Sequence, residues 1–313
     1  MLLSAVALVA TAFVALSMGV VPVETRDNGI FYSLDDALIT PGPLSATVNL
    51  VCLLVTGFIM LAINKVFTYV RSMTHLFVSA FFLLQMANPQ GLTCLNPGTL
   101  LSLTSAVTLL PLFASHQDQH AQRNIFLIFA LAATGCLFHY GFLVLIPAYL
   151  LGFIHMRAFN LKGFLAMLFG LVTPFWIVLG LGLALPSSFA LPHINAIWLQ
   201  LGQSPMDLVL ILAGITAILG IVLAVANFFT IMNYRMQTRV YNVFFIILLV
   251  MVIIAMCVGF QSIQVFLPLL NLMVAVQVAQ AHTLHTAVHH RYVLMFIFVA
   301  CCIGFAAANL FVP

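Results

Sequence analysis

The sequence predicts an all-α bundle of about eleven membrane-crossing helices, with the N-terminus in the cytoplasm and the C-terminus outside. Three observations carry that expectation. First, 64% of the 313 residues are hydrophobic and 5% are charged, against roughly 25% charged in a soluble domain. Nine basic and six acidic side chains cannot clothe a water-facing surface of this length; the mean hydropathy of +1.23 points to lipid instead. Second, runs such as Val243 to Gly259 are continuously apolar. A transmembrane β-strand would alternate apolar and polar residues, so helices are favoured over a barrel. Third, the few charges sort by side of the membrane.

Taken in order, the expected spans are 2–21, 45–63, 74–91, 98–114, 124–140, 141–155, 163–185, 206–230, 241–260, 263–281 and 292–311. The first has no basic n-region and no clear small-residue cleavage site, so it reads as a retained span rather than a cleaved signal. The pair within 124–155 is the tightest. Its crossings are short and Gly141 would have to make the turn, which leaves a single broken hairpin as the alternative. No internal repeat, low-complexity tract or linker divides the chain, and residues 1–313 are expected to form one integral membrane domain.

The positive-inside rule supports this segmentation. The inner loops hold Lys65, Arg71, Arg123, Arg157, Lys162, Arg235, Arg239 and Arg291, leaving only Arg26 outside. Glu24, Asp27, Asp35, Asp36 and Asp207 fall outside, and Asp118 is the one inner acid. Removing a span after residue 124 would put the later basic loops on the wrong side. Two outer loops are long, 22–44 and 186–205. In the second, Ile194, Ile197, Trp198 and Leu201 recur at helical spacing, as in a short helix lying in the interface.

Four of the six acids lie in the first outer loop, at 24, 27, 35 and 36. Adjacent carboxylates can hold a divalent cation or act as a general base beside a lipid headgroup. Asp35 and Asp36 are therefore the candidate catalytic residues, and Glu24, Asp27, His139 and Tyr140 the candidate substrate-binding residues. The plainer reading is a solvated loop in which Ser33 caps a helix and Asp36 stands at its third position.

The histidines form a second cluster. His282, His285 and His289 share a helical face at a spacing that could bind zinc, but no Cys or carboxylate joins them nearby. Solvation at the headgroup boundary is the preferred account, and no metal site is assigned. His116, Asp118 and His120 read the same way. Five of the six cysteines lie in apolar stretches without a CxxC pair, as buried thiols do. Within the spans the polar groups are neutral, among them Thr173, Asn227, Gln264, Asn271 and Gln277, and such groups more often join helices than bind substrate. Walker, HExxH and GxSxG motifs are absent, which removes support for ATPase, metalloprotease and serine hydrolase roles. The sequence names no cofactor, and nothing in it points to nucleic acid.

Three features carry a resemblance. They are the loop Asn64-Lys-Val-Phe-Thr-Tyr-Val-Arg71, the aromatic hairpin Leu137-Phe-His-Tyr-Gly-Phe142, and the span motif Gly170-Leu-Val-Thr-Pro174. Together they resemble an uncharacterised family of small multi-span inner-membrane proteins of Bacteroidota. The similarity covers a little over a third of the chain. It implies the inner membrane of a Gram-negative bacterium and transfers no active-site residue. A looser similarity is to multi-span lipid-linked glycosyltransferases, which also place acids in a first outer loop; Asp35 and Asp36 would take that role.

Three functional readings follow. The first is an envelope-glycan protein acting on a polyprenyl-linked sugar, or a partner of such an enzyme. The second is a transporter or flippase for a neutral or amphipathic solute. The third is a non-catalytic scaffold subunit that binds other envelope membrane proteins. All three share the lipid bilayer as their surroundings.

Overall fold

The computed structural model describes residues 1–20, 29–31, 42–70, 75–118, 120–185, 208–232, 236–259, 263–284 and 288–311. Among these there are eleven α-helices and no strand. They are α1 (Leu2–Ser17), α2 (Pro43–Phe67), α3 (His75–Met86), α4 (Pro97–Ala114), α5 (Gln122–Phe138) and α6 (Leu145–His155). After these come α7 (Leu161–Gly180), α8 (Leu208–Ile231), α9 (Met236–Val258), α10 (Ile263–Leu284) and α11 (Val288–Phe311). Each overlaps one expected span. Six of them, α2, α4, α7, α8, α9 and α10, are long and apolar enough by length and composition to cross a membrane.

Two expected spans are corrected. The stretch 74–91 is helical only to Met86, and Pro89–Leu92 forms a 3₁₀ turn. The stretch 141–155 becomes α-helical only at Leu145, because Tyr140–Val144 is also 3₁₀. Hydropathy registers apolar residues whatever their backbone geometry, so it extended both helices through their breaks. The expected turn at Gly141 is therefore spread over five residues.

Starts of helices follow the local chemistry. Asn96 caps α4: its side-chain oxygen accepts the Gly98 N–H at 2.8 Å, and Pro97 occupies the first helical position where its missing N–H is harmless. Asn160 caps α7 in the same way through the Gly163 N–H at 2.7 Å.

At the centre stands α10. Every residue from Gln264 to Gln280 is buried, enclosed by α3, α4, α8 and α9. The outer helices instead bury one narrow stripe. In α7 that stripe is Gly163, Met167, Gly170, Pro174 and Val178, and the opposite side presents Phe169 at 65% and Trp176 at 76% exposure. Small residues let helix backbones approach where lipid supplies no hydrophobic drive. A Cβ on Gly170 would lie 2.7 Å from the Phe126 carbonyl oxygen, so that glycine sets the contact between α7 and α5. Large apolar side chains facing outward on so many helices define a surface that water does not cover.

Candidate functional site

The hairpin formed by α3 and α4 is broken at its tip. A 12-residue helix is about 18 Å long, well short of a hydrocarbon core of roughly 30 Å. The chain thus leaves helical geometry before a crossing is complete. Residues 87–96 link the two helices, and Ala87, Asn88, Leu92, Thr93 and Asn96 are all buried. Irregular backbone is tolerated at membrane depth only where protein or a polar cavity surrounds it.

Asparagines from three other helices satisfy that backbone. Asn271 of α10 donates its Nδ2 to the Leu84 carbonyl at 3.3 Å. Asn309 of α11 donates to Ala87 at 3.0 Å, and Asn49 of α2 to Gly91 at 2.9 Å. The Leu84 and Ala87 carbonyls lie in the last turn of α3 and just beyond it, where no further helical N–H can reach them, and the Gly91 carbonyl lies in the 3₁₀ turn. Further amides complete the grip. Gln85 Nε2 donates to Pro268 O at 3.3 Å, Asn96 Nδ2 to Gln264 O at 3.1 Å, and Gln264 Nε2 to Gln90 Oε1 at 3.3 Å. Gly98 is the point where α4 meets α10; a Cβ there would lie 2.2 Å from the Val265 carbonyl oxygen.

Using the amide N–H groups in this way leaves their oxygens over. The Oδ1 atoms of Asn49, Asn88, Asn271 and Asn309 are buried and accept no hydrogen bond. The four residues are no more than 4% exposed. Gly91 makes room for one of them: a Cβ on it would sit 2.9 Å from Asn88 Nδ2. The described residues of the site include no carboxylate, since the only carboxylate side chain among the described residues is Asp118, which caps its own turn by accepting the His120 N–H at 2.8 Å.

Away from the hairpin, the chain closes with aromatic rings. Phe113 stacks on Tyr241 at 4.4 Å between centroids and meets Phe67, Tyr69, Phe244 and Phe245 edge-on. The hydroxyls find carbonyls: Tyr69 donates to Met60 at 3.0 Å and Tyr241 to Phe113 at 3.3 Å. Tyr149 and Thr108 share a very short hydroxyl contact. Beside this cluster, burial and the neighbouring His155 hold the His116 imidazole below its ordinary pKa.

Of the expected site residues, Glu24, Asp27, Asp35 and Asp36 lie outside the described residues, as do the interfacial segment 186–205 and His285. The remaining two are placed. His139 is 1% exposed; its Nδ1 accepts the Gly141 N–H at 3.1 Å and its Nε2 has no partner. Tyr140, next to it, is 5% exposed. The acid-rich loop touches this point through its middle: the N–H of Ile30 bonds Cys136 O at 3.1 Å and that of Phe31 bonds Leu137 O at 3.4 Å. Among the described residues no group of three His, Cys, Asp or Glu could hold a metal.

The sequence reading missed Asn49, Asn88, Asn96 and Asn309. A signal was available, because Asn88-Pro89-Gln90-Gly91 and Asn96-Pro97-Gly98 are turn-forming clusters inside an apolar run. The motifs behind the resemblance prove to be fixtures of the fold. Asn64 clasps Val70, with its Oδ1 accepting the Val70 N–H at 2.8 Å and its Nδ2 donating to the Val70 carbonyl at 3.2 Å. His139 caps the turn that follows it.

A polytopic helical membrane protein with a broken, amide-bound hairpin against a buried central helix is the class that this arrangement defines. More narrowly, the chain belongs to DUF6427, a family of unknown function whose model matches residues 37–312. The match starts just after Asp36 and includes the whole hairpin. No curated protein and no solved structure matches the chain.

Proposed function

We propose that this protein is a transporter for a small polar solute, bound where the tip of the α3–α4 hairpin meets α10. The observation that carries the reading is the set of buried amide oxygens left without donors around a non-helical segment. Discontinuous helices with free backbone and side-chain dipoles are a recurrent way to build a binding site inside a bilayer. Unpaired buried polar groups each cost about 1–3 kcal/mol, so a retained set of four is better explained by a ligand than by packing. The neutral side chains among the described lining favour an uncharged or singly charged solute over a multivalent ion. Purified protein in liposomes should take up at least one member of a panel of radiolabelled sugars, polyols and amino acids faster than empty liposomes. Uptake at the empty-liposome rate across the whole panel sinks the reading.

The acid-rich loop supports a second reading, a protein of envelope-glycan chemistry with Asp35 and Asp36 acting on a polyprenyl-linked sugar and Glu24, Asp27, His139 and Tyr140 holding it. What favours it is the docking of Ile30 and Phe31 beside the end of α5, one residue before His139. Replacing both Asp35 and Asp36 with Asn should then alter the glycan profile at unchanged protein level; an unaltered profile removes them as catalytic candidates. Both readings place the chain in the inner membrane of a Gram-negative bacterium, crossing it eleven times with the N-terminus inside. Reporter fusions at residues 68 and 120 should therefore read cytoplasmic.

A further inference from the structure

We infer that the hairpin tip holds a monovalent metal cation, with the amide oxygens of Asn49, Asn88 and Asn309 among its ligands. The inference deepens the transport reading, and rests on it only for what the bound ion does.

The argument is one of matching valences. Asn49 and Asn309 turn their nitrogens to the backbone, at Gly91 and Ala87. Their oxygens are then fixed in place, buried and unpaired. Asn88 lies between those two carbonyls in the chain and contributes a third such oxygen. Asn271, whose nitrogen binds the Leu84 carbonyl one turn earlier, carries a fourth buried oxygen without a donor. Each of these residues is at least nine-tenths buried.

A ligand for such a site has to bring positive charge or hydrogen-bond donors, and nothing that needs donors in return. The nearby amide nitrogens of Asn49, Asn96, Asn271 and Asn309 are already committed. The one buried side-chain amide nitrogen without an acceptor among the described residues is Gln277 Nε2. It stands six residues beyond Asn271 on α10, about 9 Å along the axis. A sugar or polyol hydroxyl carries lone pairs as well as a donor, so a solute of that kind would meet these oxygens less completely than a cation does, and its place is beside the ion. A bare cation needs no donor in return. Hard oxygen ligands suit alkali and alkaline-earth ions. Divalent ions are normally held by carboxylates, which the described hairpin surroundings lack, so the charge that fits is +1. Protein carbonyl oxygens are also the groups that replace a monovalent ion's hydration shell in membrane filters.

Asn88 separates a ligand role from a structural one. Unlike Asn49, Asn271 and Asn309, it clasps no backbone carbonyl with its side chain. Removing an unpaired buried amide that only packs should leave stability unchanged or raise it. The experiment is thermal unfolding of the purified full-length protein at constant ionic strength in choline, lithium, sodium, potassium or ammonium chloride. A saturable rise in Tm with at least one metal cation, not given by choline, is expected. Asn88→Ala should abolish that rise while keeping the choline Tm. Asn88→Asp should lower the half-saturating concentration about tenfold or more and add a response to Ca²⁺, because affinity follows the charge of the ligands.

Equal Tm in every salt overturns the cation site, and so does a rise that Asn88→Ala leaves intact. A response to ammonium alone overturns the metal and points to a donor-bearing amine. The two readings fail separately. A cation-dependent Tm without solute uptake removes transport and keeps the site, whereas uptake that is equal in choline and in every metal salt, with a flat Tm, removes the site and keeps transport.

Discussion

The hairpin tip and the aromatic cluster are equally buried, yet the tyrosine hydroxyls of the one are paired and the asparagine oxygens of the other are not. Around Phe113 every described tyrosine hydroxyl has a carbonyl or hydroxyl partner, and the rest of the contact is ring against ring. Around Asn88 the backbone carbonyls are satisfied and the side-chain oxygens are left over. A satisfied polar network rigidifies, whereas a partly satisfied one carries a penalty that something must offset. The aromatic region ties α2, α4 and α9 together, whereas the hairpin region keeps amide oxygens without donors, which is the feature the ligand proposal rests on.

Breaking the anchor should give the largest effect. Phe113→Ala removes a ring that is 1% exposed and that five others touch; a loss of about 3–5 kcal/mol is expected, read as a fall in the unfolding midpoint in mild detergent. Next comes Gly98→Leu. Its side chain has no room against the Val265 carbonyl, and forcing α4 from α10 should cost about 1–3 kcal/mol together with any cation response. Asn271→Leu strands the Leu84 carbonyl but also removes an unpaired oxygen, so its net cost should be smaller, about 1 kcal/mol, in line with measured interhelical hydrogen bonds in membranes. A loss larger than that of Phe113→Ala would reverse the comparison, making the hairpin the anchor.

The smallest effect concerns pH. His116 has a folded pKa below its ordinary value, so the unfolded chain binds the proton more readily. Its contribution to stability is therefore complete above the unfolded pKa of about 6.5 and is lost as the pH falls below it. Stability measured from pH 7.5 down to 5.5 should drop, and His116→Gln should flatten that slope.

Much of the helical layout was legible before any coordinates. Apolar runs of membrane length, punctuated by charged loops, located the eleven helices of the described residues to within a few residues at most ends. The break after Met86 was legible in the Asn88-Pro89-Gln90-Gly91 turn cluster, whereas the one at Tyr140–Val144 was not, because Phe142 is as apolar in a 3₁₀ turn as in a helix. The candidate site was less visible still. His139 and Tyr140 stand out in the sequence as embedded substrate-binding candidates, whereas in the structure they are the cap and first residue of a turn. Gln264 and Asn271 were read correctly as joining helices, and both turn toward the hairpin. Asn49, Asn88 and Asn309 passed unnoticed because a lone asparagine near a span end looks like an interfacial residue.

What the chain's composition settles is its solvent: with so few charges it must bury its outer faces in lipid and form helices there, since backbone groups in hydrocarbon need partners within the segment. The alternation of basic loops with acidic or uncharged ones is what the expected direction of crossing rests on. The tertiary structure alone decides which helix is central and which amides meet. Asn49, Asn271 and Asn309 are separated by up to 260 positions, and no local pattern links them. They converge because the short helix α3 leaves carbonyls unpaired inside the bundle, and only amides arriving from other helices can reach them.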